Sequence, residues 1–221
     1  GGWAQKGGTS IVASVNITVD GGTIANVFGG GCHSTSPGSD GVSKSLVTGN
    51  VNITIGNYGS VTGSIFARGH LRADAVTGIS TVTITGRADR SCNIYGYDRV
   101  NFTAGESHGI SYLVLRDNSG TFTGNIGGFD SITFSGDTAA TFAAEDISAG
   151  ADGFIENSAW VFDLTGRGDI LSSDALLDWS NGTFAGDTVD VKFADDVQAR
   201  GGWSIANVST ASGATFNLEI G

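Results

Sequence analysis

Few side chains in this sequence could bind a metal ion or activate a nucleophile. The histidines are His33, His70 and His108, and the cysteines are Cys32 and Cys92. Histidine and cysteine together are a ligand set for zinc, but the CxxC and HxxxH spacings of zinc sites are both absent. Because the histidines stand in glycine-rich stretches, we expect them in solvent-exposed loops. We predict neither a metal site nor a cofactor.

The two cysteines are too few for a disulfide-rich secreted domain. Cys32 and Cys92 can form one disulfide if the fold brings them within bonding distance. The alternative is a pair of semi-buried free thiols.

The most polar stretch of the first half contains Arg68, His70, Arg72 and Asp74. Polysaccharide lyases and hydrolases of β-helix fold use Asp, Arg and Lys on one face to neutralise and deprotonate sugar acids. No second Asp or Glu stands at the matching position of the neighbouring repeat, and lysine is nearly absent. We therefore predict no catalytic residue and treat this stretch as a candidate binding loop, with a solvated turn as the simpler interpretation.

A second candidate binding site is the tripeptide Arg167-Gly168-Asp169, which resembles integrin-binding loops. A tripeptide arises easily by chance in a chain rich in glycine and aspartate.

Four later carboxylates could bind calcium, those of Asp187, Asp190, Asp195 and Asp196. The GGxGxD repeat of calcium-filled folds and the EF-hand loop are both absent, so the sequence favours solvated acidity.

Charge is unevenly distributed along the chain. Residues 1–129 hold eight Lys and Arg against seven Asp and Glu, a net of +1, whereas residues 130–196 hold two against fourteen, a net of −12. The whole chain carries −11. Nucleic-acid binding needs clustered Lys and Arg, so this class of partner is excluded. No apolar run approaches the roughly 20 residues that a membrane helix needs.

A repeated motif must position these candidate sites. VNITVDGGTIANVFGGG at 15–31 recurs as VNITIGNYGSVTGSIFARG at 51–69, and STVTITG at 80–86 repeats its opening. Apolar and polar residues alternate as in a strand with one buried side, and glycine turns separate the strands. The Asn and Thr side chains of V-N-I-T, which are expected to point outward, are explained by hydrogen bonding on the solvent-exposed face of the sheet. Because one copy cannot bury its own apolar side, we expect the copies to stack, with Ile17, Ile53 and Ile84 above one another.

Past residue 145 the repeat loosens. We predict regular repeats over 1–144 and an irregular, acidic continuation or cap of the same stack over 145–221. The segment from Ser172 to Trp179, SSDALLDW, is predicted as a short helix with a serine N-cap. Strands are expected again near 183–193, 203–208 and 214–220.

The V-N-I-T and G-G-T-I-x-N-V-F-G-G-G motifs, with GTFTGNIGGFDSITFSG at 120–136 and GGWSIANV at 201–208, resemble the passenger regions of autotransporter-like surface proteins. These are large proteins of Gram-negative, often gut-dwelling, bacteria, and they include adhesins. The resemblance implies secretion across the outer membrane and display at the cell surface. Because the chain has no methionine at position 1 and no leader, we expect it to be part of a longer protein.

We therefore predict a right-handed parallel β-helix that acts without catalysis as an adhesin or stalk segment. Its expected partner is a host or bacterial surface glycan or protein, and self-association through the end turns of the helix is a further option. Two alternatives stay open: a carbohydrate-active β-helix, and a structural unit of a filament or surface layer.

Overall fold

The computed structural model describes residues 9–31, 44–69, 76–97, 109–143, 159–165, 175–184, 186–193 and 204–220. Within these ranges the chain is all-β, with eighteen strands and no helix. The first nine strands are β1 Thr9–Val12, β2 Val15–Ile24, β3 Val27–Phe28, β4 Lys44–Val47, β5 Val51–Val61, β6 Ser64–Phe66, β7 Ser80–Gly86, β8 Asn93–Tyr95 and β9 Ser111–Asn118. The others are β10 Thr121–Phe122, β11 Ile126–Gly127, β12 Ser131–Ser135, β13 Ala140–Phe142, β14 Ala159–Asp163, β15 Leu177–Thr183, β16 Thr188–Phe193, β17 Ala206–Thr210 and β18 Thr215–Ile220.

The described strands form four sheets, and every pair of neighbours within them is parallel. The largest, which we call the long sheet, has the order β18-β16-β14-β12-β9-β7-β5-β2. Its strands therefore follow one another in chain order. Between two of them the chain contributes other strands to the smaller sheets, β11-β8-β6-β3, β10-β13-β15-β17 and β1-β4. Parallel neighbours require such crossings, since a tight hairpin joins only antiparallel strands.

The alternating pattern of V-N-I-T places its apolar residues on the inner face of the long sheet. Ile53 and Ile55 of β5 are 0% and 1% exposed, whereas Asn52 between them is exposed. Ile17 pairs with Ile53, as predicted, but the next residue in that row is Val82. Ile84 instead pairs with Ile55 in the neighbouring row. The expectation for Ile84 was wrong because it required Val82 to align with Val51. In the structure Ser80 aligns with Val51, and this register places Ile84 opposite Ile55.

Aromatic side chains fill the interior in the second half of the chain. The rings of Phe134 and Phe162, on neighbouring strands β12 and β14, stack with centroids 4.9 Å apart. The Trp160 ring lies 5.0 Å from that of Phe184 and 5.3 Å from that of Trp179. Offset and edge contacts of this kind add to the area that each ring buries. The interior therefore stays filled where small aliphatic residues become fewer.

The segment predicted as a helix contains a strand instead. Leu177–Thr183 forms β15, in which Leu177 and Trp179 are buried and Asp178 is exposed. Alternation of this kind suits a strand that pairs with β13 and β17, and this pairing overrides the local helix preference of SSDALLDW. The later strands β14, β16 and β18 continue the long sheet in register with β12.

Glycines that follow the short strands allow the backbones of successive repeats to approach closely. A Cβ atom added to Gly30 would lie 2.7 Å from the amide nitrogen of Gly69. Real Cβ contacts are not that short, so a side chain at Gly30 would push the two backbones apart. This packing accounts for the VFGGG ending of the first repeat.

Candidate functional site

Most of the residues that the sequence singles out lie outside the described ranges. These are Cys32, His33, His70, Arg72, Asp74, His108, Arg167, Gly168 and Asp169. Of the candidate binding loop, Arg68 alone is described, and of the two cysteines, Cys92 alone. Asp187 and Asp190 are described, whereas Asp195 and Asp196 are not.

Arg68 is inside the protein rather than at a loop tip. Its side chain is 1% exposed. Its Nη1 donates to the carbonyl oxygens of Gly78, at 3.1 Å, and Ile110, at 3.0 Å, and its Nη2 donates to that of Val76. These carbonyls belong to segments before β7 and before β9, so one guanidinium joins two successive crossings of the chain. Arg68 thus holds the backbone together from within, and it is not available to a solvent-borne ligand.

A second buried arginine, Arg90, was not anticipated from the sequence. It is 5% exposed, and its guanidinium donates to the carbonyl oxygen of Gly56 at 2.8 Å and to that of Gly59. Both acceptors belong to the part of β5 where the register with β2 shifts. Burial lowers the pKa of Arg90, and the nearby Cys92 opposes that shift. No local sequence pattern distinguishes the buried Arg68 and Arg90 from Arg87 and Arg116, which are exposed.

Cys92 is a free thiol in the core, 2% exposed. Burial raises the pKa of this thiol, and the charge of Arg90 opposes the effect in part. A protonated, buried thiol is a poor nucleophile. Cys92 is thus described as in the free-thiol alternative, whereas Cys32, the other cysteine of the possible disulfide, is outside the described ranges.

The ends of three short strands lie side by side in one sheet. Strands β3, β6 and β8 are consecutive neighbours in their sheet. The ends of these strands are joined by hydrogen bonds from the Gly29 amide to Phe66, at 2.9 Å, and from the Ala67 amide to Tyr95, at 2.8 Å. Phe28, Phe66 and Tyr95 therefore lie in one row.

The outer face of the long sheet carries rows of uncharged polar side chains. Thr18, Thr54 and Thr83 are register partners in one row. In the adjacent row, Asn52 Nδ2 donates to Asn16 Oδ1 at 2.9 Å. This bond confirms the structural explanation of the V-N-I-T asparagines. Neighbouring strands lie about 4.8 Å apart, so the face presents hydroxyl and amide groups at regular intervals.

Asp187 has a part-buried carboxylate that contacts the core. Its Oδ2 accepts a hydrogen bond from Trp160 Nε1 at 3.0 Å. Burial raises the pKa of Asp187, and the bond from Trp160 reduces this rise. Its contact is with the core indole, so Asp187 supports Trp160.

Within the described ranges, no group of three or more His, Cys, Asp and Glu residues is placed so that it could hold a metal ion. The same part of the chain contains no helix long and apolar enough to cross a membrane. Comparisons with protein-family models, with curated proteins and with solved structures found no match to this chain.

Proposed function

We propose that this chain is a non-catalytic segment of a right-handed parallel β-helix, displayed outside the cell as the adhesin or stalk part of a larger secreted bacterial protein. The observation that carries the proposal is the order of the long sheet, in which eight parallel strands follow one another along the chain. Each repeat adds one strand, so a longer chain makes a longer, stiff rod. Segments that begin on one side of such a rod can vary without disturbing it.

The proposed partner is a glycan or protein of a host or bacterial surface. Binding would be carried by His70, Arg72 and Asp74 and by Arg167, Gly168 and Asp169. Arg68 is left out of the binding set because its guanidinium is occupied by backbone carbonyls. Residues with charged and hydrogen-bonding ends suit polar sugars and acidic or basic protein surfaces.

The test is binding of the purified chain to arrayed glycans and to whole host and bacterial cells. Arg72→Ala or Arg167→Ala is expected to weaken binding about tenfold, the effect of losing one charged hydrogen bond worth roughly 1.5 kcal/mol. Arg116→Ala is the matched control, because Arg116 is an exposed arginine on the long sheet. Equal binding by all three variants contradicts the proposed site. Release of unsaturated sugar product from an acidic polysaccharide would favour a lyase instead.

A structural unit that associates with its own kind is the second candidate. The observation that favours it is β18, which among the described strands pairs with β16 alone and exposes Phe216, Leu218 and Ile220. Unpaired strand edges of this kind are common points of association.

A further inference from the structure

Charged side chains are confined to one margin of the outer face of the long sheet. On the six strands from β2 to β14, two rows contain only uncharged residues, which are all exposed or partly exposed. The first row is Asn16, Asn52, Thr81, Tyr112, Ser131 and Ala159, and the second is Thr18, Thr54, Thr83, Val114, Thr133 and Val161. We call these two rows the uncharged face. The third row, from β7 to β18, is Thr85, Arg116, Ser135, Asp163, Lys192 and Glu219, of which four are charged.

This separation of charge is unusual for a surface that meets only water. The chain has 22 acidic residues and a net charge of −11, and exposed surfaces usually mix charged side chains of both signs. On β12, Thr133 of the uncharged face is two residues from Ser135, which stands between Arg116 and Asp163 in the third row. A charge that a neutral ligand covers would lose its water without gaining a partner. A face without charge therefore suits a neutral ligand.

Tyr112 is the aromatic residue of the uncharged face. Its strand, β9, is paired on both sides, with β7 and β12, so the exposure of Tyr112 is not that of a sheet edge. Thr81 and Ser131 are its neighbours in the first row, and Thr83 and Thr133 stand diagonally from it in the second. Neighbouring strands lie about 4.8 Å apart, and alternate residues of one strand about 6.6 Å apart. Four hydroxyl groups are therefore within reach of a molecule that lies on the Tyr112 ring.

A sugar ring matches this arrangement. A pyranose has C–H groups on its flat sides, which can pack on an aromatic ring. Hydroxyl groups surround its rim, and they donate and accept hydrogen bonds as the hydroxyl and amide groups of the uncharged face do. A protein partner fits less well, because Ser, Thr and Val are under-represented among the residues that dominate protein interfaces. Nucleic acids and anionic membranes are bound through Lys and Arg, which the uncharged face does not contain.

We infer that the uncharged face binds an uncharged polysaccharide, with one sugar ring packed on Tyr112 and the sugars on either side of it hydrogen-bonded to the two rows. A polymer that runs across the strands places successive sugars over successive strands. The inference rests on the proposed function, because it takes the partner to be a surface glycan. It adds a site separate from Arg72 and Arg167, and it specifies the class of glycan that this site takes.

The test is binding of the 221-residue chain to immobilised polysaccharides, measured by surface plasmon resonance. The neutral polymers are hydroxyethyl cellulose, laminarin and yeast mannan, and polygalacturonate is the acidic one. We expect binding to at least one neutral polymer. That binding should not weaken between low salt and about 1 M NaCl, because salt screens interactions between charges and this site has none.

Two variants have matched controls. Tyr112→Ala should weaken binding to the neutral polymer about tenfold or more, because the stacked ring is lost, and Tyr112→Trp should retain it. The control is Tyr58→Ala, at a tyrosine that is 78% exposed but lies outside the two rows. Thr133→Glu should also weaken binding, because it places a charge beneath a neutral ligand. Its control is Ser135→Glu, on the same strand in the charged row. Both controls should bind as the original chain does.

Three results would overturn the inference. They are a chain that binds none of the neutral polymers, equal binding by Tyr112→Ala and Tyr58→Ala, and dimers in sedimentation velocity that Thr133→Glu abolishes. The last result would assign the uncharged face to a contact between proteins. Circular dichroism of each variant establishes that its strands remain folded.

Failure of this inference and failure of the proposed function give different results. Binding that weakens with salt and in Arg72→Ala or Arg167→Ala, but not in Tyr112→Ala, supports the proposed site and overturns the inference. Binding that resists salt and is lost in Tyr112→Ala alone supports the inference and contradicts the charged site.

Discussion

Arg68 and Ile110 are 42 residues apart in the chain, yet Arg68 Nη1 lies 3.0 Å from the Ile110 carbonyl oxygen inside the protein. The same guanidinium also binds the carbonyl oxygens of Val76 and Gly78. A buried cation is expensive unless it is hydrogen-bonded, and here the backbone supplies acceptors that short glycine-rich segments leave unpaired. The hydrogen bonds of Arg68 thus join separate backbone segments, as the hydrogen bonds between paired strands do.

Replacing Arg68 with methionine should destabilise the chain strongly. Met keeps much of the apolar stem but leaves buried carbonyl groups unpaired, at a cost of about 3 kcal/mol or more. Unfolding in urea measures this as a lower midpoint. Arg116→Met, at an exposed arginine, should change the free energy of unfolding by about 0.5 kcal/mol or less. Similar midpoints for the two variants would show that the buried bonds of Arg68 contribute little.

Gly109 is expected to be sensitive to substitution because of Arg68. It has a φ of +68°, and a Cβ atom there would lie 2.2 Å from Arg68 Nη2. Gly22 has a similar φ, +74°, but nothing lies within 4 Å of its added Cβ. Gly22→Ala should therefore cost about 1 kcal/mol from backbone strain alone, and Gly109→Ala should cost clearly more.

A double-mutant cycle separates the two contributions at Gly109. In the Arg68→Met background the guanidinium is gone, so Gly109→Ala should cost no more than Gly22→Ala does. Urea unfolding of the four chains gives the coupling. If the cost of Gly109→Ala is the same with and without Arg68, contact with the guanidinium is not its cause.

Asp187 should make stability depend on pH. Its folded-state pKa is raised above the ordinary value of 3.8, so between these two values the folded chain binds more protons than the unfolded chain. Its contribution to stability therefore falls as pH rises through the folded pKa. Asp187→Asn keeps an acceptor for Trp160 and removes the titration. We expect the variant to gain stability relative to the original chain as pH rises from 3.5 to 7, as measured by urea midpoints; a difference that does not change with pH would contradict this.

Cys92 should react slowly with thiol reagents in the folded chain. The thiol is buried and its pKa is raised, so little thiolate is exposed at neutral pH. In a Cys32→Ser variant, the reaction rate of Cys92 should rise at least about a hundredfold on unfolding, because a buried thiol reacts only when the fold opens. Alkylation of the original chain in denaturant without reductant should label two thiols. A single disulfide, with no label, would overturn the free state of Cys92.

The alternation in V-N-I-T was sufficient to predict the inner and outer faces of β2, β5 and β7. It could not fix which inward residues share a row, because an alternating strand has several inward positions two residues apart; hence Ile84 was assigned to the row of Ile17. SSDALLDW indicates a helix because its alternating part, Leu177 to Trp179, is too short to predict a strand. The burial of Arg68 and Arg90 depends on carbonyls eight or more residues away, and no local sequence pattern encodes such partners.

In the long sheet, a strand's neighbours are the ones that come just before and just after it along the chain. Such an arrangement is modular in length. Duplicating one repeat, for example residues 51–79, would insert a further strand and extend the sheet by about 4.8 Å without requiring distant residues to change. Gene segments encoding whole repeats can thus be gained or lost, and the reach of the molecule can evolve separately from whatever it carries.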